Sequence, residues 1–268
     1  MRGAESMRIA RVLLSSQYAY MLEYRAEIAL WTLSGVVPFI MLALWSQVEA
    51  NGGGTGELGL NRVQLGRYFL SAFIVRQFTI AWVVWAFEED ALQGRLSHAL
   101  LQPLHPLWRY LGAHLAEQAT RLPFVAVLVG LFFLLQPDTV WLPSLGQALA
   151  ALLAIWMAFA INFLLQSAIA ILCFWSERAN ALERLLYIPY LFLSGLVAPL
   201  EVFPPAVRAV ALWTPFPYMI AFPAQLLSGN PPSFSGGFAA MALWIGLLLP
   251  LVALLWKSGV RRYAAMGA

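Results

Sequence analysis

Residues 88–112, EEDALQGRLSHALLQPLHPLWRYLG, form the most polar interior stretch of the chain and lie between two long apolar runs. Three acids open this stretch, a short amphipathic run follows, and Pro103 and Pro106 interrupt it. Because proline ends a helix but suits a first turn, the pattern predicts a short helix, a turn and a second helix that leads into the next apolar run. Such a segment is not tolerated in hydrocarbon. We therefore expect it, here called the polar segment, to lie on one face of a bilayer.

The composition of the 268-residue chain is that of a polytopic membrane protein. Hydrophobic residues make up 61% of it and charged residues 11%, whereas soluble domains have about 45–50% and about 25%. Helices satisfy their own backbone in lipid, so the predicted fold class is all-α. The net charge of +3 comes from basic residues spread along the chain, which gives no basic face for nucleic acid. A single cysteine, Cys173, excludes an internal disulfide.

Six apolar segments are predicted to span the membrane within a single transmembrane domain, residues 1–268. The fifth is close to the lower length limit for crossing a hydrocarbon core of about 30 Å. The predicted spans are about 28–48, 68–87, 115–135, 145–174, 185–200 and 238–256.

Three other segments have distinctive patterns. Residues 7–24 predict an amphipathic helix that either lies in the headgroup plane or begins the first span. The glycine-rich residues 49–66 predict a flexible external loop. Repeated prolines across residues 204–227 forbid a continuous helix and predict an external re-entrant hairpin.

The distribution of basic residues predicts the orientation. Eleven of the 16 arginines and lysines lie in the N-terminal region, the polar segment, residues 175–184 and the C-terminal tail. Three, Arg62, Arg67 and Arg208, lie in the alternate connections. By the positive-inside rule, both termini and the polar segment are predicted to be cytoplasmic.

Three charged residues fall inside predicted spans: Arg76 in the second, and Glu117 and Arg121 four residues apart in the third. An intramembrane charge costs about 2.5–3.5 kcal/mol on insertion scales, so it needs a partner or water. One interpretation is a polar wall along a substrate path. The favoured interpretation is a packing pair, either Arg76–Glu117 or Glu117–Arg121. Asn162 and Gln166, also four apart, favour hydrogen bonds between helices.

Motifs for catalysis are absent. The sequence has neither the G-x-x-x-x-G-K-[ST] phosphate loop nor an H-E-x-x-H zinc motif. Spacings of seven and nine residues do not stack His98, His105 and His114 on one helical turn, so solvated or docking histidines are favoured over a metal site. We expect no catalytic residue, metal or cofactor on this chain.

Three stretches resemble the membrane subunit of type-2 ABC exporters. Residues 24–27, YRAE, are similar to the charged end of that family's N-terminal interfacial helix. The polar segment is similar to the family's E-x-x-x-G-T-L-x-x-L-L-x-x-P…L-G cytoplasmic loop, with Arg95 in place of the common threonine. Residues 194–218 are similar to its S-G…P…P…P-x-x-Y run, which ends the fifth span and builds the external hairpin. With six spans, the resemblance covers nearly the whole chain.

The resemblance implies a permease subunit of the bacterial inner membrane that exports a drug-like, lipid-linked, saccharide or peptide substrate. Its implied partners are two copies of an ABC ATPase, which carry ATP and Mg, a second permease of the same or a homologous type, and membrane lipids. The polar segment would be the coupling helix. Its acids are expected at the helix N-terminus, and three leucines at i, i+4 and i+8 are expected to form one ridge. The implied coupling residues are Glu88, Glu89, Asp90, Leu92, Gly94, Arg95, Leu96, Leu100 and Pro103.

Two other classes of protein fit the composition. One is a membrane-embedded assembly factor or enzyme without an ATPase partner. The other is a secondary transporter, but the two halves of the sequence show no inverted repeat. Copurification of an ATPase in mild detergent discriminates these classes from an ABC permease.

The orientation predicts which positions are accessible from outside the cell. In a Cys173→Ala background, His98→Cys should resist a membrane-impermeant maleimide in intact cells until the membrane is permeabilised. Asp138→Cys, between the third and fourth spans, should react at once because it lies in an external loop. Rapid labelling of position 98 in intact cells would contradict the orientation.

Overall fold

The computed structural model describes residues 2–50, 61–176, 178–229 and 233–266. Within these residues it contains α-helices and short 3-10 turns and no β-strand, which confirms the all-α prediction. Residues 51–60 of the predicted external loop lie outside the described residues. The helices are α1 (Arg2–Glu23), α2 (Arg25–Ser34), α3 (Val37–Ala50), α4 (Arg62–Thr79), α5 (Val83–Leu92), α6 (Arg95–Leu100), α7 (Pro106–Leu135), α8 (Leu145–Ile171), α9 (Asn180–Leu193), α10 (Pro205–Leu212), α11 (Phe216–Met219), α12 (Ala221–Ser228) and α13 (Phe234–Met266).

Five helical stretches among the described residues are long and apolar enough to cross a membrane, so the chain is a multi-pass membrane protein. Four of them extend beyond a predicted span, and the fourth, Leu145–Phe174, has the predicted bounds. The third begins at Pro106 instead of residue 115, because proline suits the first helical turn and the His105 side chain caps it. The five stretches are Arg25–Val48, Arg62–Leu92, Pro106–Leu135, Leu145–Phe174 and Phe234–Tyr263.

The helix bundle has two ends that can be told apart by their connections. At one end, the polar segment meets the last turns of α13, where the hydroxyls of Ser97 and Tyr263 lie 2.6 Å apart. At the opposite end, Arg67 near the start of α4 donates to the carbonyl of Val140, in the turn between α7 and α8, at 3.1 Å. These ends are called the polar-segment end and the opposite end below.

The predicted fifth span, 185–200, is the part where the structure differs most from a simple helix. In its place α9 has 14 residues, about 21 Å of helix, which is shorter than a hydrocarbon core of about 30 Å. The chain nevertheless passes between the two ends here. The backbone N–H of Asn180 donates to Glu88 at the polar-segment end, and α13 starts at the opposite end. A sixth membrane span therefore stays a prediction, and residues 194–199 complete the passage without helix.

The non-helical residues 194–199 are held by side chains of neighbouring helices. The hydroxyl of Tyr68 donates to the carbonyl of Gly195 at 2.7 Å, and the indole of Trp45 donates to the carbonyl of Val197 at 3.0 Å. Gly195 has φ of 86°, and a β-carbon there would lie 2.5 Å from the Tyr68 hydroxyl. Glycine is therefore required at this position.

The proline-rich segment after α9 forms three short helices, α10, α11 and α12, instead of one continuous helix. Phe216 of α11 lies deep in the bundle, with its ring 6.3 Å from that of Tyr190 on α9. The buried α12 then packs between α4 and α8 and returns to the opposite end, where the carbonyl of Leu227 accepts from the Trp141 indole at 3.0 Å. The segment thus enters the bundle and leaves by the same end. Its placement in an outer leaflet stays a prediction.

Candidate functional site

The second long stretch is interrupted near its middle. α4 ends at Thr79 and α5 starts at Val83, so Ile80–Trp82 lie outside any helix. In a continuous helix, the carbonyls of residues 77–79 would each accept from the amide four residues later. The break removes these bonds. A buried backbone group without a partner costs about 1–3 kcal/mol, so each group needs a substitute.

Two side chains of α7 replace the partners of two carbonyls. Arg121 donates through Nη1 to the carbonyl of Gln77 at 3.2 Å. One helical turn earlier, Gln118 donates through Nε2 to the carbonyl of Phe78 at 2.8 Å. Both acceptors are at the end of α4, so α7 is fixed to the break by backbone hydrogen bonds as well as by apolar packing.

His114 of α7 satisfies an amide on the other side of the break. The backbone N–H of Trp82 donates to its Nε2 at 2.7 Å. Its Nδ1 lies 2.7 Å from the carbonyl of Tyr110, to which it donates, so the ring carries its hydrogen on Nδ1. The interpretation of His114 as a solvated or docking residue is wrong, since the side chain is buried and its position one turn before Gln118 points it at the break.

Side chains of α8 hold the break from another direction. Asn162 donates through Nδ2 to the carbonyl of Thr79 at 2.7 Å. Gln166 accepts from the N–H of Val84 at 3.3 Å and donates through Nε2 to Glu183 of α9 at 3.1 Å. These contacts agree with the expectation of hydrogen bonds between helices. The five side chains that bind the broken backbone are called the polar clamp: His114, Gln118, Arg121, Asn162 and Gln166.

The intramembrane charges separate into a pair and an unpaired group. Arg121, which is almost fully buried, forms an ion pair with Glu117 one turn away on α7. Of the two pairings that the sequence left open, the structure contains this one. Within the described residues Arg76 forms no ion pair with Glu117 or any other carboxylate. Arg121 and Glu117 therefore belong to the packing of the break, whereas Arg76 has another environment.

Arg76 lines a cavity of about 250 Å³ beside the break. The walls come from α4, the break at Ile80–Trp82, α8, α9 and α11. No pattern in the sequence indicated this cavity, because its walls come from segments that are far apart along the chain. The polar and aromatic residues that line it with Arg76 are Asn162, Gln166, Glu183, Tyr187, Tyr190 and Phe216.

In the polar segment, Glu88 is a connecting residue. Its side chain is 8% exposed, and Oε2 accepts from the backbone N–H of Asn180 at 2.8 Å. Asn180 is the first residue of α9, where the positive end of the helix dipole favours a carboxylate. Glu88 thus joins the end of α5 to the beginning of α9.

The other two acids of the polar segment, Glu89 and Asp90, both bind Arg95. Arg95 donates through Nε to Asp90 at 2.6 Å, and its Nη2 lies 3.3 Å from Glu89. The hydrogen bond to Asp90 is the main cause that raises the pKa of Arg95 above its usual value. Asp90 also accepts from the hydroxyl of Tyr110 on α7 at 2.7 Å. These contacts fold the start of the polar segment against the third long helix.

The acids do not lie at a helix N-terminus, so that expectation is wrong. They occupy the last turns of α5, because Gly94 adopts φ of 72° and ends this helix before α6 begins. The left-handed conformation suits glycine. Apart from its chain neighbours, no atom of the described residues would lie within 4 Å of a β-carbon at Gly94, so the turn faces open space within this part of the chain.

The turn at Gly94 also separates Leu92 from Leu96 and Leu100. The prediction that these three leucines form a single ridge is therefore wrong. Leu96 is fully buried against the bundle and Leu100 is half-buried, whereas Leu92 is 66% exposed. Leu101 is 86% exposed, and Pro103 beside it is exposed too. The segment is therefore anchored by Leu96 and presents apolar side chains on either side of that anchor.

The family model described as ABC-2 family transporter protein matches residues 61–267. The chain belongs to this family. The match covers well over half of the chain and includes the break, the polar segment and the hairpin. It makes the chain the membrane-spanning permease of an ABC-type transporter, a class that transports and does not catalyse. No curated protein matches the chain.

His105 caps the third long helix of the permease. Its Nδ1 accepts from the N–H of Leu107 at 3.3 Å, and its ring centroid lies 4.3 Å from that of Trp256 on α13. Packing against Trp256 removes water from the ring, and this burial lowers the pKa of His105 below its usual value. The neutral ring is the form that can accept the hydrogen bond.

The lowered pKa of His105 predicts that acid weakens the folded permease. Since the unfolded chain binds this proton more tightly, stability is full above about pH 6.5 and falls as the pH drops toward the lower folded pKa. His105→Asn keeps a good N-cap without titrating. The loss in thermal midpoint between pH 7.5 and 5.5, measured in detergent, should be smaller in His105→Asn than in the natural permease. Equal losses in both proteins would contradict this role.

The polar clamp predicts specific losses of stability. Gln118→Leu and Asn162→Leu each orphan a buried carbonyl and should cost about 1–3 kcal/mol. Thr120→Val is the matched control, because the buried Thr120 hydroxyl bonds within its own helix to Ala116. Thermal unfolding of the three variants in detergent compares them. If Thr120→Val loses as much thermal stability as the clamp variants, the hydrogen bonds of the polar clamp are not what stabilises the break.

Proposed function

We propose that this permease exports its substrate from the cytoplasm, driven by a separate ATP-hydrolysing subunit that docks on the polar segment. The observation that carries the proposal is the mixed exposure of that segment. Leu96 is buried in the permease, while Leu92 and Leu101 project from it, 66% and 86% exposed. Exposed leucines flanking a short anchored helix are suited to fill an apolar groove on a partner protein.

The contacts of the polar segment supply a route for mechanical coupling. Glu88 binds the first amide of α9, and Asp90 binds Tyr110 of α7. A partner that pushes on the polar segment therefore acts on α7 and α9 at once. We infer that closure of the ATPase dimer tilts these elements, which is the rigid-body kind of conformational switch.

The proposed assembly contains two ATPase copies and a second permease, either identical or homologous. Support for a second permease comes from α9, none of whose residues is buried in the described structure, although Leu185, Ile188 and Phe192 are exposed apolar side chains. ATP and Mg belong to the ATPase subunits in this assembly. The proposed location is a bacterial inner membrane, with both termini cytoplasmic. Membrane lipids are proposed to fill an apolar groove of about 990 Å³ between α1 and the helices α4, α7 and α8.

Replacing the exposed leucines with acids should detach the ATPase. Leu92→Asp and Leu101→Asp place a charge where an apolar groove is expected, and each should lower the amount of ATPase that copurifies with the permease in mild detergent. Vanadate-sensitive ATP hydrolysis per permease should fall with it. Leu142→Asp is the matched control, since Leu142 is 94% exposed but lies at the opposite end.

The experiment also decides between classes of protein. Undiminished ATPase binding by Leu92→Asp and Leu101→Asp would remove the polar segment as the docking site. Purification of the natural permease without any ATP-hydrolysing partner would favour the membrane-embedded enzyme or assembly factor instead.

A further inference from the structure

Arg76 lies in the last turn of α4, just before the break, and its guanidinium has no ion-pair partner among the described residues. Among the described residues it has neither a hydrogen bond nor an ion pair, although it is only partly exposed. A charge in a membrane-spanning helix costs several kcal/mol unless it has a partner or water. Arg121 shows how the permease treats a structural arginine, with Glu117 and the carbonyl of Gln77 as its partners. Arg76 has been left without either kind of partner.

The side-chain amides of the cavity are already engaged, and they bind backbone groups and Glu183. Asn162 donates to the carbonyl of Thr79, and Gln166 uses its oxygen on Val84 and its nitrogen on Glu183. Glu183 lies in the first turn of α9, where the helix dipole favours its charge. The charged donors of Arg76 therefore remain for a molecule that enters the cavity.

The break places a helix N-terminus beside the cavity. α5 begins at Val83, directly after the cavity wall formed by Ile80, Ala81 and Trp82. Because the polar clamp binds the last carbonyls of α4 and the amides of Trp82 and Val84, Arg76 supplies the main positive charge of the cavity. Broken membrane helices commonly direct an N-terminus at an anionic group of a substrate.

We propose that this cavity binds the phosphate or carboxylate group of an amphiphilic substrate, with Arg76 as the cationic partner. A volume of about 250 Å³ is smaller than a typical whole-ligand site, so it fits an acidic headgroup and not the entire molecule. The apolar part leaves the cavity past Tyr187 of α9, which lines it and is exposed. This assignment rests on the proposed function, because it takes the acid-bearing amphiphile to be the exported substrate.

The test measures binding to the purified permease alone, without ATPase. Dodecyl phosphate in dodecyl maltoside micelles is the anionic amphiphile, dodecanol is its neutral counterpart, and inorganic phosphate is the soluble anion. Dodecyl phosphate should protect Tyr187→Cys, in a Cys173→Ala background, from maleimide labelling, and dodecanol should not. In equilibrium dialysis of radiolabelled dodecyl phosphate, Arg76→Gln should weaken binding about tenfold, the usual loss for a charged hydrogen-bond partner.

Two further variants guard against misfolding. Arg76→Lys keeps the charge and should retain binding within about threefold, and Arg208→Gln removes an arginine of α10, outside the cavity, and should bind normally. Inorganic phosphate that binds with the same dependence on Arg76 would assign the site to soluble anions, which still supports an acid-binding cavity. Equal binding by Arg76→Gln and the natural permease, or equal protection by dodecanol, would overturn the proposal.

Failure here differs from failure of the proposed function. A permease that copurifies with an ATPase through Leu92 and Leu101 but binds dodecyl phosphate independently of Arg76 keeps its transport role and loses this substrate class. If the permease binds the acid through Arg76 but recruits no ATPase, the acid-binding site is supported and the proposal of an ATPase partner is contradicted.

Discussion

The structure depends on one constraint: backbone groups that leave a helix inside a membrane-spanning bundle must find other partners. The break at Ile80–Trp82 frees groups on both sides, and the polar clamp binds five of them. Because the clamp comes from α7 and α8, the same hydrogen bonds that repair the break also fix three long helical stretches around it. Removing the clamp would leave either an unsatisfied break or a straight helix that no longer forms the cavity. The interruption and the packing of the bundle are therefore one feature.

The same solution recurs at two other interruptions. α2 stops before Gly35, whose amide donates to the carbonyl of Thr32, and Gln77 donates to the same carbonyl at 3.1 Å. After α9, Tyr68 and Trp45 bind carbonyls of the non-helical residues. In each case the donor is a side chain of a neighbouring helix. At these interruptions the bundle keeps short rigid pieces joined where another helix supplies a donor.

The sequence predicted the helical class, the long apolar stretches and the family, because these depend on hydropathy, proline placement and motif order. It also placed Asn162 and Gln166 as links between helices, since their spacing is visible along one helix. It missed the break, because Ile80–Trp82 contains neither glycine nor proline and its conformation is maintained by distant side chains. It placed the acids of the polar segment at the wrong end of a helix, because the left-handed turn at Gly94 separates α5 from α6. The cavity of Arg76 could not be predicted, since segments that are far apart along the chain build it.

The hydrogen bonds around α5 connect the polar segment to the cavity that Arg76 lines. Glu88, near the end of α5, binds the start of α9, and Val84, near its beginning, is connected to α9 through Gln166 and Glu183. Both links meet the first turn of α9, so α5 and the start of α9 are suited to move together, whereas α4 lies beyond the break. Arg76 belongs to α4, and Tyr187 across the cavity belongs to α9. In the proposed mechanism, a push on the polar segment therefore changes the distance between the cation and the aromatic wall. A cavity that closes on an acidic group in one position and opens in the other would couple substrate release to the ATPase, because the break is the hinge for both.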